Sequence, residues 1–167
     1  MQLLVVRHGI AQERGTPGVR SDADRVLTDE GRRKTTLAAK GLRAVGCAPG
    51  IIGTSPYARA AETAEIIADV LASDRSVETC PFLEPGGDVD DLVDWLRDCD
   101  DESAMIVGHM PDLAEMTIVL LTNGGDFDMQ FKKAAACCLE FDGPPALGMA
   151  RLVWLMQPRQ LRALADP

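Results

Sequence analysis

The sequence predicts an α/β fold, a three-layer α/β/α sandwich around a mainly parallel sheet with an antiparallel edge. Short apolar runs alternate with amphipathic segments from the first residues onward, which is typical of a parallel sheet with helices on both faces. The last two strand-like runs follow each other without a helix, which favours an antiparallel edge. The 167 residues with 46% apolar content are enough to bury one core, so we expect a single domain over residues 1–167.

The first third of the chain predicts two buried strands and a capped helix. Residues 3–6 are a short apolar run, which is typical of a strand buried on both faces. Residues 10–26 are polar and contain glycines and a proline, which indicates a long loop. Thr28, followed by acidic residues, predicts the N-cap of a helix that ends near Val45. Ile51–Thr54 repeats the buried-strand pattern.

The middle of the chain predicts two more helices. The pair Ser55-Pro56 predicts an N-cap and a first helical position. Residues 77–80 are a weak strand, and residues 81–87 are a loop rich in proline and glycine. Asp88 then predicts the cap of a helix whose apolar residues have amphipathic spacing.

The last third predicts three strands and two helices. Residues 104–107 are a fourth buried strand, and Pro111 opens the helix that follows it. Ala136–Phe141 and residues 151–156 are the final two strands, joined by a proline-rich turn. Residues 158–167 predict one short helix.

Charge and hydropathy exclude several classes of partner. With 26 acidic and 17 basic residues, the chain has a formal net charge of −9, which repels nucleic acid and anionic lipid. No apolar run approaches the length of a membrane span. The N-terminus has no apolar signal core before its first charged residue. We therefore expect a cytoplasmic protein with no nucleic-acid or membrane partner.

The five cysteines form no metal-binding or disulfide pattern. Their number is odd and no C-x-x-C pair occurs, so we expect reduced thiols that pack as small apolar side chains. Cys137 and Cys138 are adjacent in a predicted strand and should point to opposite faces of the sheet. With only two histidines, suitable ligands are too few for a metal site. We expect no metal and no cofactor.

Both histidines lie just past the C-terminal end of a predicted buried strand. His8 follows the first strand with Arg7 beside it, and His109 follows the fourth. Arg59 lies in the helix after the second strand, and its side chain can lean back toward the strand ends. Because ligands of open α/β sheets bind outside the carboxyl ends of the strands, we expect these four residues at one site.

The residue types at this predicted site suit a phosphoryl group. Two arginines offer planar donor forks for phosphate oxygens, and the predicted helix N-termini at Ser55 and near Met110 offer free N–H groups. An imidazole can attack phosphorus and form a covalent intermediate. Position alone leaves alternatives open, since each histidine could be a core or surface residue and Arg59 could be a solvated helix residue.

Four segments resemble the motifs of one enzyme family. In chain order they are Leu3-Leu4-Val5-Val6-Arg7-His8-Gly9, Leu27-Thr28-Asp29-Glu30-Gly31, Ser55-Pro56-Tyr57-Ala58-Arg59-Ala60-Ala61-Glu62-Thr63-Ala64 and Val107-Gly108-His109. They are similar to the R-H-G, L-T-x-x-G, S-P-x-x-R-A-x-x-T-A and V-x-H segments of the histidine phosphatase superfamily, which has the phosphoglycerate mutase-like fold. The short chain and residues 85–88 and 154–158 resemble the compact SixA-type phosphohistidine phosphatases of that superfamily.

The resemblance implies roles for the predicted site residues. His8 would be the nucleophile, and Arg7, Arg59 and His109 would hold the phosphoryl group. The further substrate-binding candidates are Gly9, Ser55, Asp22, Arg25 and Glu84.

One segment departs from the family pattern. Larger members have a glutamate general acid after the third strand, whereas here Phe82 stands at the expected position and Glu84 is shifted. A sugar alkoxide needs a proton in order to leave, but an imidazole is a good leaving group near neutral pH. Weak acid assistance therefore favours phosphohistidine over a phosphate ester as the substrate.

The resemblance implies a phosphatase that hydrolyses phosphohistidine on a protein through a covalent intermediate on His8. Its partner would be a phosphorylated protein or a small phosphorylated molecule. The alternatives are a small-molecule phosphomonoester phosphatase or mutase of the same fold, and a non-catalytic phosphate-binding module. The binding module is disfavoured because it would not need the nucleophile that this chain retains.

Overall fold

The computed structural model describes residues 1–71, 77–125 and 127–165, and within these ranges a six-stranded sheet forms the middle layer. The strands are β1 (Gln2–Arg7), β2 (Ile51–Thr54), β3 (Val77–Thr79), β4 (Ser103–Gly108), β5 (Ala136–Phe141) and β6 (Ala150–Met156). Their order is β3-β2-β4-β1-β5-β6. β1 to β4 are parallel, whereas β5 is antiparallel to β1 and β6 is antiparallel to β5. The predicted antiparallel edge is confirmed.

Five α-helices of the described residues cover the two faces of this sheet. They are α1 (Asp29–Ala44), α2 (Ala58–Leu71), α3 (Val89–Asp98), α4 (Asp112–Thr122) and α5 (Pro158–Ala163). α1, α2 and α5 pack on one face, and α3 and α4 pack on the other, which confirms the three-layer sandwich. Residues 166 and 167 of the predicted terminal helix lie outside the described residues. None of the described helices is long and apolar enough to cross a membrane.

The inner strands bury both of their faces. In β1, Leu4 packs into the layer of α1, α2 and α5, and the next residue, Val5, packs into the layer of α3 and α4. The adjacent Cys138 and Cys137 of β5 divide between the same two layers, as predicted. This division follows from the two-residue period of a strand, and it explains why these strands are apolar at successive positions.

Two predicted helix caps are present. The Thr28 hydroxyl accepts the N–H of Gly31 at 2.9 Å at the start of α1. The Asp88 carboxylate accepts the N–H of Asp90 at 2.9 Å at the start of α3. Each cap satisfies one of the N–H groups that the first turn of a helix leaves without a partner.

The prediction that Ser55 and Pro56 begin α2 is wrong, because this helix begins at Ala58. The N–H of Ala58 donates to the carbonyl oxygen of Ala23 at 2.9 Å, so the long loop before α1 satisfies the first N–H of the helix. That N–H is not free for a ligand, contrary to the prediction. Arg59 is therefore the second residue of α2, whereas a helix that began at Pro56 would make it the fourth.

The segment after β3 is more regular than predicted. Residues 81–87 were expected to form a loop, but Pro81–Leu83 is a 3₁₀ turn. The proline ring fixes φ at a value that suits the first position of such a turn. Leu83 is buried in the layer of α3 and α4, which holds the turn against the sheet.

The carboxyl ends of β1, β4 and β2 lie side by side at one edge of the sheet. His8, Ser55 and His109 follow these ends directly. The N–H of His8 donates to the Gly108 carbonyl oxygen at 3.1 Å, and the N–H of Ser55 donates to the Val107 carbonyl oxygen at 3.0 Å. Strand pairing therefore continues one residue past the strand ends and fixes the backbone there.

Candidate active site

His8 has a hydrogen-bond partner at each ring nitrogen. Its Nδ1 lies 2.7 Å from the carbonyl oxygen of Gly9. Its Nε2 lies 3.3 Å from the Nε of Arg59. A carbonyl oxygen only accepts hydrogen bonds, so the proton is on Nδ1 and Nε2 presents its lone pair toward Arg59. A neutral imidazole in this tautomer can act as a nucleophile through Nε2.

Arg59 is anchored by Asp22, a residue of the long loop before α1. Its Nη1 donates to the Asp22 carbonyl oxygen at 2.7 Å, and its Nη2 donates to the Asp22 carboxylate at 2.9 Å. The Arg59 side chain is only 6% exposed, whereas the Asp22 side chain is 33% exposed, so the buried guanidinium is held by a carboxylate that water still reaches. These contacts hold the guanidinium plane with its Nε toward His8.

Asp22 also binds two other arginines. Its Oδ1 accepts from Arg25 Nη1 at 2.8 Å and from Arg14 Nε at 2.9 Å. Arg25 is fixed in turn, because its Nε donates to the Gln12 carbonyl oxygen at 2.6 Å. These arginines, with the hydrogen bond from Arg25 as the largest cause, lower the pKa of Asp22 well below its usual range. The carboxyl group is therefore ionised and has no proton to donate at neutral pH.

His109 packs against the rings of His8 and Tyr57, with centroid distances of 5.1 and 5.0 Å. Its Nε2 lies 2.8 Å from the Ser55 hydroxyl oxygen. Its Nδ1 is buried without a hydrogen-bond partner in the described part of the chain. The Arg59 guanidinium lies 5.0 Å from the centroid of the Tyr57 ring, which is a cation–π distance. Ser55 is thus a partner of His109 and is itself fully buried.

Arg7 ends β1 beside His8. Its Nη1 donates to the carbonyl oxygen of Phe131 at 2.6 Å. Its Nε is buried and has no hydrogen-bond partner among the described residues. Burial lowers the pKa of Arg7, but an arginine stays charged at physiological pH. A buried donor without a partner is costly, so Arg7 has a donor that an anion would satisfy.

Both imidazoles are neutral at physiological pH. Burial lowers the pKa of His8 to about 3; the hydrogen bond to Gly9 raises it, and the charges of His109, Arg59 and Arg7 lower it further. Burial also lowers the pKa of His109 to about 4, with the charge of Arg59 acting in the same direction. The lone pair of His8 Nε2 is therefore free of a proton.

Gly9 lies where a larger residue does not fit. A Cβ at this position would be 2.4 Å from the hydroxyl oxygen of Thr35 in α1. The N–H of Gly9 donates to the Thr63 hydroxyl oxygen at 3.0 Å, and that hydroxyl donates to the Arg59 carbonyl oxygen at 2.6 Å. Gly9 thus connects the end of β1 to α1 and α2, and its carbonyl oxygen orients the ring of His8.

Glu84 lies at the edge of this group without joining it. The carbonyl oxygen of Leu83 is 3.5 Å from a Cβ built on Gly108, so the backbone before Glu84 is close to the end of β4. The Glu84 carboxylate has no hydrogen bond or ion pair within the described ranges. Phe82 packs on Trp95, with ring centroids 6.0 Å apart.

The structure brings together eight of the nine predicted site residues and adds three groups that the sequence analysis missed. The eight are Arg7, His8, Gly9, Asp22, Arg25, Ser55, Arg59 and His109. The missed groups are the Tyr57 ring, the Thr63 hydroxyl and the Phe131 carbonyl oxygen. Tyr57 and Thr63 lie inside the S-P-x-x-R-A-x-x-T-A segment, so this motif was the available signal. Phe131 has no local signal, because it is 124 positions from Arg7 in the chain.

The charges at this edge of the sheet suit an anion. Arg7, Arg59 and Arg25 supply guanidinium groups, which match the oxygens of a phosphoryl group. In the described ranges, no three His, Cys, Asp or Glu side chains are grouped so as to hold a metal ion. All five cysteines are free thiols, as predicted.

Known proteins resemble this chain over most of its length. Residues 3–84 match the histidine phosphatase superfamily (branch 1). An uncharacterised protein of Picosynechococcus sp. is 34% identical over 137 residues, which are 80% of this chain and 81% of the relative. The phosphohistidine phosphatase SixA of Escherichia coli is 28% identical over 165 residues, which are 97% of each chain.

Solved structures show the same fold. The protein histidine phosphatase SixA complexed with tungstate has a TM-score of 0.83 at 28% identity, over 96% of this chain and 99% of that chain. A variant phosphoserine phosphatase from Entamoeba histolytica, in complex with phosphoserine, has a TM-score of 0.68 at 16% identity, over 96% and 98% of the two chains. At 16% identity, the similarity to the phosphoserine phosphatase shows a shared fold only. With its SixA-like fold and its matching sequence, the chain is a phosphatase and belongs to the histidine phosphatase superfamily.

Proposed function

We propose that this phosphatase hydrolyses phosphohistidine on a protein through a covalent phosphoryl intermediate on His8. The observation that supports this best is the state of His8. Its Nδ1 proton is donated to the Gly9 carbonyl oxygen, burial lowers its pKa to about 3, and its Nε2 lone pair points toward Arg59. An imidazole in this state is ready to attack phosphorus without first losing a proton.

The proposed reaction has two displacements. In the first, a bond forms between His8 Nε2 and phosphorus while the bond between phosphorus and the substrate nitrogen breaks. In the second, water attacks the phosphoryl group on His8, which releases inorganic phosphate and restores the imidazole. Arg7 and Arg59 stabilise the charge on the phosphoryl oxygens in both steps. The buried Nε of Arg7, which lacks a protein partner within the described ranges, is one donor available for this.

The supply of protons at the site favours phosphohistidine over a phosphate ester. An alkoxide needs a proton to leave, whereas a phosphohistidine that has a proton on its other ring nitrogen leaves as neutral imidazole. Asp22 is ionised by its arginines. Glu84 forms no contact that would aim it at the leaving group. Neither carboxyl group is therefore arranged to serve as a general acid.

The relatives support the same substrate class. The Escherichia coli relative that matches over 97% of each chain is a phosphohistidine phosphatase. The solved SixA structure binds tungstate, a tetrahedral oxyanion of the same shape as phosphate. In this chain we propose that the phosphoryl group of the substrate binds at the carboxyl edge of the sheet, between His8, Arg7, Arg59 and His109.

A substrate panel tests the proposal. The purified enzyme is given a protein phosphorylated on histidine, phosphoserine, a sugar phosphate and an aryl phosphate under the same conditions. We expect kcat/KM for the phosphohistidine protein to exceed that for the alkyl esters by about a hundredfold or more, because a general acid usually accelerates the loss of an alkoxide by at least this factor. An enzyme that prefers an alkyl ester would be a small-molecule phosphomonoester phosphatase, and the proposed substrate class would be wrong.

Trapping tests the intermediate. After a quench in base, we expect a phosphoryl group on His8 that is stable in base and labile in acid. His8→Asn retains a donor for the Gly9 carbonyl oxygen but lacks the nucleophile, so turnover should fall by more than about a thousandfold while the circular dichroism spectrum stays the same. Turnover close to that of the parent enzyme would exclude His8 as the nucleophile.

A further inference from the structure

A cleft of about 430 Å³ lies beside the proposed phosphoryl site, bounded by α1, α5 and the loop before β5. We refer to it as the basic cleft, because five cationic side chains line it. They are Arg7, Lys34, Lys132, Lys133 and Arg162. Arg7 lines the basic cleft, and its charge also lowers the pKa values of His8 and His109, so the basic cleft and the proposed phosphoryl site are neighbours.

The positive charge of the basic cleft is mostly uncompensated. None of its lining residues is acidic, although the chain as a whole has a net charge of −9. Lys34 pairs with Glu30 of α1 at 2.5 Å. Lys132, Lys133 and Arg162 have no ion pair with any residue that the structure describes. Cations held together without counter-ions repel one another, and an anion between them relieves that repulsion.

Two buried polar atoms beside the basic cleft also lack partners. The Thr35 hydroxyl oxygen and the Arg7 Nε have no hydrogen bond in the described part of the chain. Thr35 is fully buried, and both residues line the cleft. Buried donors without partners destabilise a fold, and the Arg7 Nε is the donor proposed above for the phosphoryl oxygens, so the proposed phosphoryl site and the basic cleft meet at Arg7.

The backbone of the basic cleft is fixed in place by Gln157, the residue before α5. Its Nε2 donates to the Gln130 carbonyl oxygen at 2.8 Å, and its Oε1 accepts the N–H of Lys132 at 3.1 Å. These two bonds tie the loop before β5 to the start of α5. The lysines and Arg162 are therefore held on opposite sides of one cleft rather than on a freely moving loop.

We propose that the basic cleft binds an acidic segment of the phosphorylated protein, next to the histidine whose phosphoryl group is transferred to His8. This inference rests on the proposed function and names the kind of protein substrate. A cleft of this size takes a ligand much larger than one phosphate group. Its cations are mainly lysines, which are point charges on flexible stems and suit carboxylates at several positions along a peptide.

Two peptides test this proposal, each with one phosphohistidine. One has aspartate and glutamate on both sides of the phosphohistidine, and the other has serine and glycine. We expect kcat/KM of the parent enzyme to be about tenfold higher for the acidic peptide, since each solvent-exposed ion pair adds only a modest factor. High ionic strength should remove the preference, because it screens these charges.

The triple variant Lys132→Ala/Lys133→Ala/Arg162→Ala should lose the preference and keep the kcat/KM of the parent enzyme for the neutral peptide. Its matched control is Arg33→Ala/Lys40→Ala/Arg159→Ala, which removes three cations from α1 and α5 outside the basic cleft and should keep the preference. If both triple variants lost the preference for the acidic peptide equally, the proposal would be overturned, because the preference would then depend only on net charge.

The peptides also separate this proposal from the proposed function. Hydrolysis of both peptides at equal rates by the parent enzyme contradicts only the acidic-segment proposal. Hydrolysis of neither peptide, with rapid hydrolysis of an alkyl phosphate, contradicts the proposed function and the cleft proposal together. As a second readout, an unphosphorylated acidic peptide should inhibit the parent enzyme competitively and the cleft triple variant much less.

Discussion

The position of one proton decides what His8 can do. Its Nδ1 hydrogen is directed at the Gly9 carbonyl oxygen, so Nε2 is left with a lone pair. Burial lowers the pKa of the ring to about 3, which keeps this arrangement through the physiological range. Gly9 matters for the same reason, because a Cβ at this position would lie 2.4 Å from the Thr35 hydroxyl oxygen and a larger residue would displace the carbonyl oxygen that orients the ring.

Asp22 positions Arg59, and this leads to a first prediction. In Asp22→Asn the arginines lose a negative charge, so their attraction for a phosphate dianion rises and the inhibition constant of inorganic phosphate should fall severalfold. Arg59 also loses its charged anchor, so kcat should fall by about tenfold. Steady-state kinetics with phosphate as inhibitor measures both effects.

The control for this prediction is Asp24→Asn. Asp24 lies in the same loop and accepts a hydrogen bond from Ser21 at 2.8 Å, but it binds none of the arginines of the site. Asp24→Asn should therefore leave both kcat and the inhibition constant of inorganic phosphate unchanged. A loss of about three orders of magnitude in kcat for Asp22→Asn would mean that Asp22 takes part in proton transfer rather than in positioning.

A second prediction concerns Glu84, whose carboxylate makes no contact in the described ranges. If the leaving group is an imidazole, Glu84→Gln should lower kcat/KM on a phosphohistidine protein by less than about tenfold, well short of the effect of losing a general acid. The same substitution should do no greater harm on an alkyl phosphate, for which activity is already low. A loss of about a thousandfold on phosphohistidine would contradict the leaving-group argument.

The main residues of the site could be predicted because they follow strand ends. Arg7, His8 and His109 come directly after apolar runs, and the topology of a parallel sheet then brings them together. The contacts of Asp22 could not be predicted, because the course of a long loop is set by tertiary contacts rather than by local sequence. The same holds for the basic cleft, which Lys132 and Arg162 form from separate segments.

At the scale of elements, the strands agreed with prediction to within two residues, but one helix start did not. Ser55-Pro56 is a strong local signal for a helix N-terminus. The Ser55 hydroxyl oxygen lies 2.8 Å from His109 Nε2 and also accepts the N–H of Tyr57 at 3.3 Å. α2 begins only at Ala58, whose N–H donates to the Ala23 carbonyl oxygen. A tertiary partner for the first N–H outweighed the local preference.

The packing of α5 on α1 leads to a third prediction. A Cβ on Gly41 would lie 2.0 Å from the carbonyl oxygen of Leu161, a backbone atom that moves only if α5 moves. Alanine favours a helix over glycine by about 1 kcal/mol, but overpacking costs about 1–3 kcal/mol. Gly41→Ala should therefore destabilise the protein in urea unfolding, despite its better helix propensity.

Gly143→Ala is the matched control for Gly41→Ala. A Cβ on Gly143 meets no atom within 4 Å, so the free energy of unfolding should change by less than about 0.5 kcal/mol. A Gly41→Ala protein more stable than the parent would show that α5 packs less closely on α1 than the structure indicates.

At the scale of the whole molecule, the two buried histidines link stability to pH. Burial lowers their pKa values from 6.5 to about 3 and about 4, whereas both titrate normally once the chain unfolds. At a pH between about 4 and about 6.5, the histidines of the unfolded chain bind more protons than those of the folded protein. The free energy of unfolding must therefore fall as the pH decreases below about 6.5.

The fourth prediction concerns the pH dependence of the free energy of unfolding. The effect can be assigned to His8 and His109, because the chain has only two histidines. From about pH 7.5 to about pH 5, the parent protein should lose about 2 kcal/mol of stability for each histidine. His8→Asn/His109→Asn should lose much less, since most carboxylates titrate below this window. Urea unfolding at several pH values measures the difference, and equal slopes for the two proteins would contradict the low histidine pKa values.

The division of Cys137 and Cys138 between the two faces of the sheet has a practical consequence. Cys137 is covered by the layer of α3 and α4, and Cys138 by the layer of α1, α2 and α5. Both thiols are buried, and burial raises the pKa of each, so a thiol reagent reacts only after the covering helices separate locally from the sheet. Two neighbouring residues of one strand thus report separately on the opening of the two helical layers, once each labelling rate is divided by the rate for the same thiol in the unfolded chain.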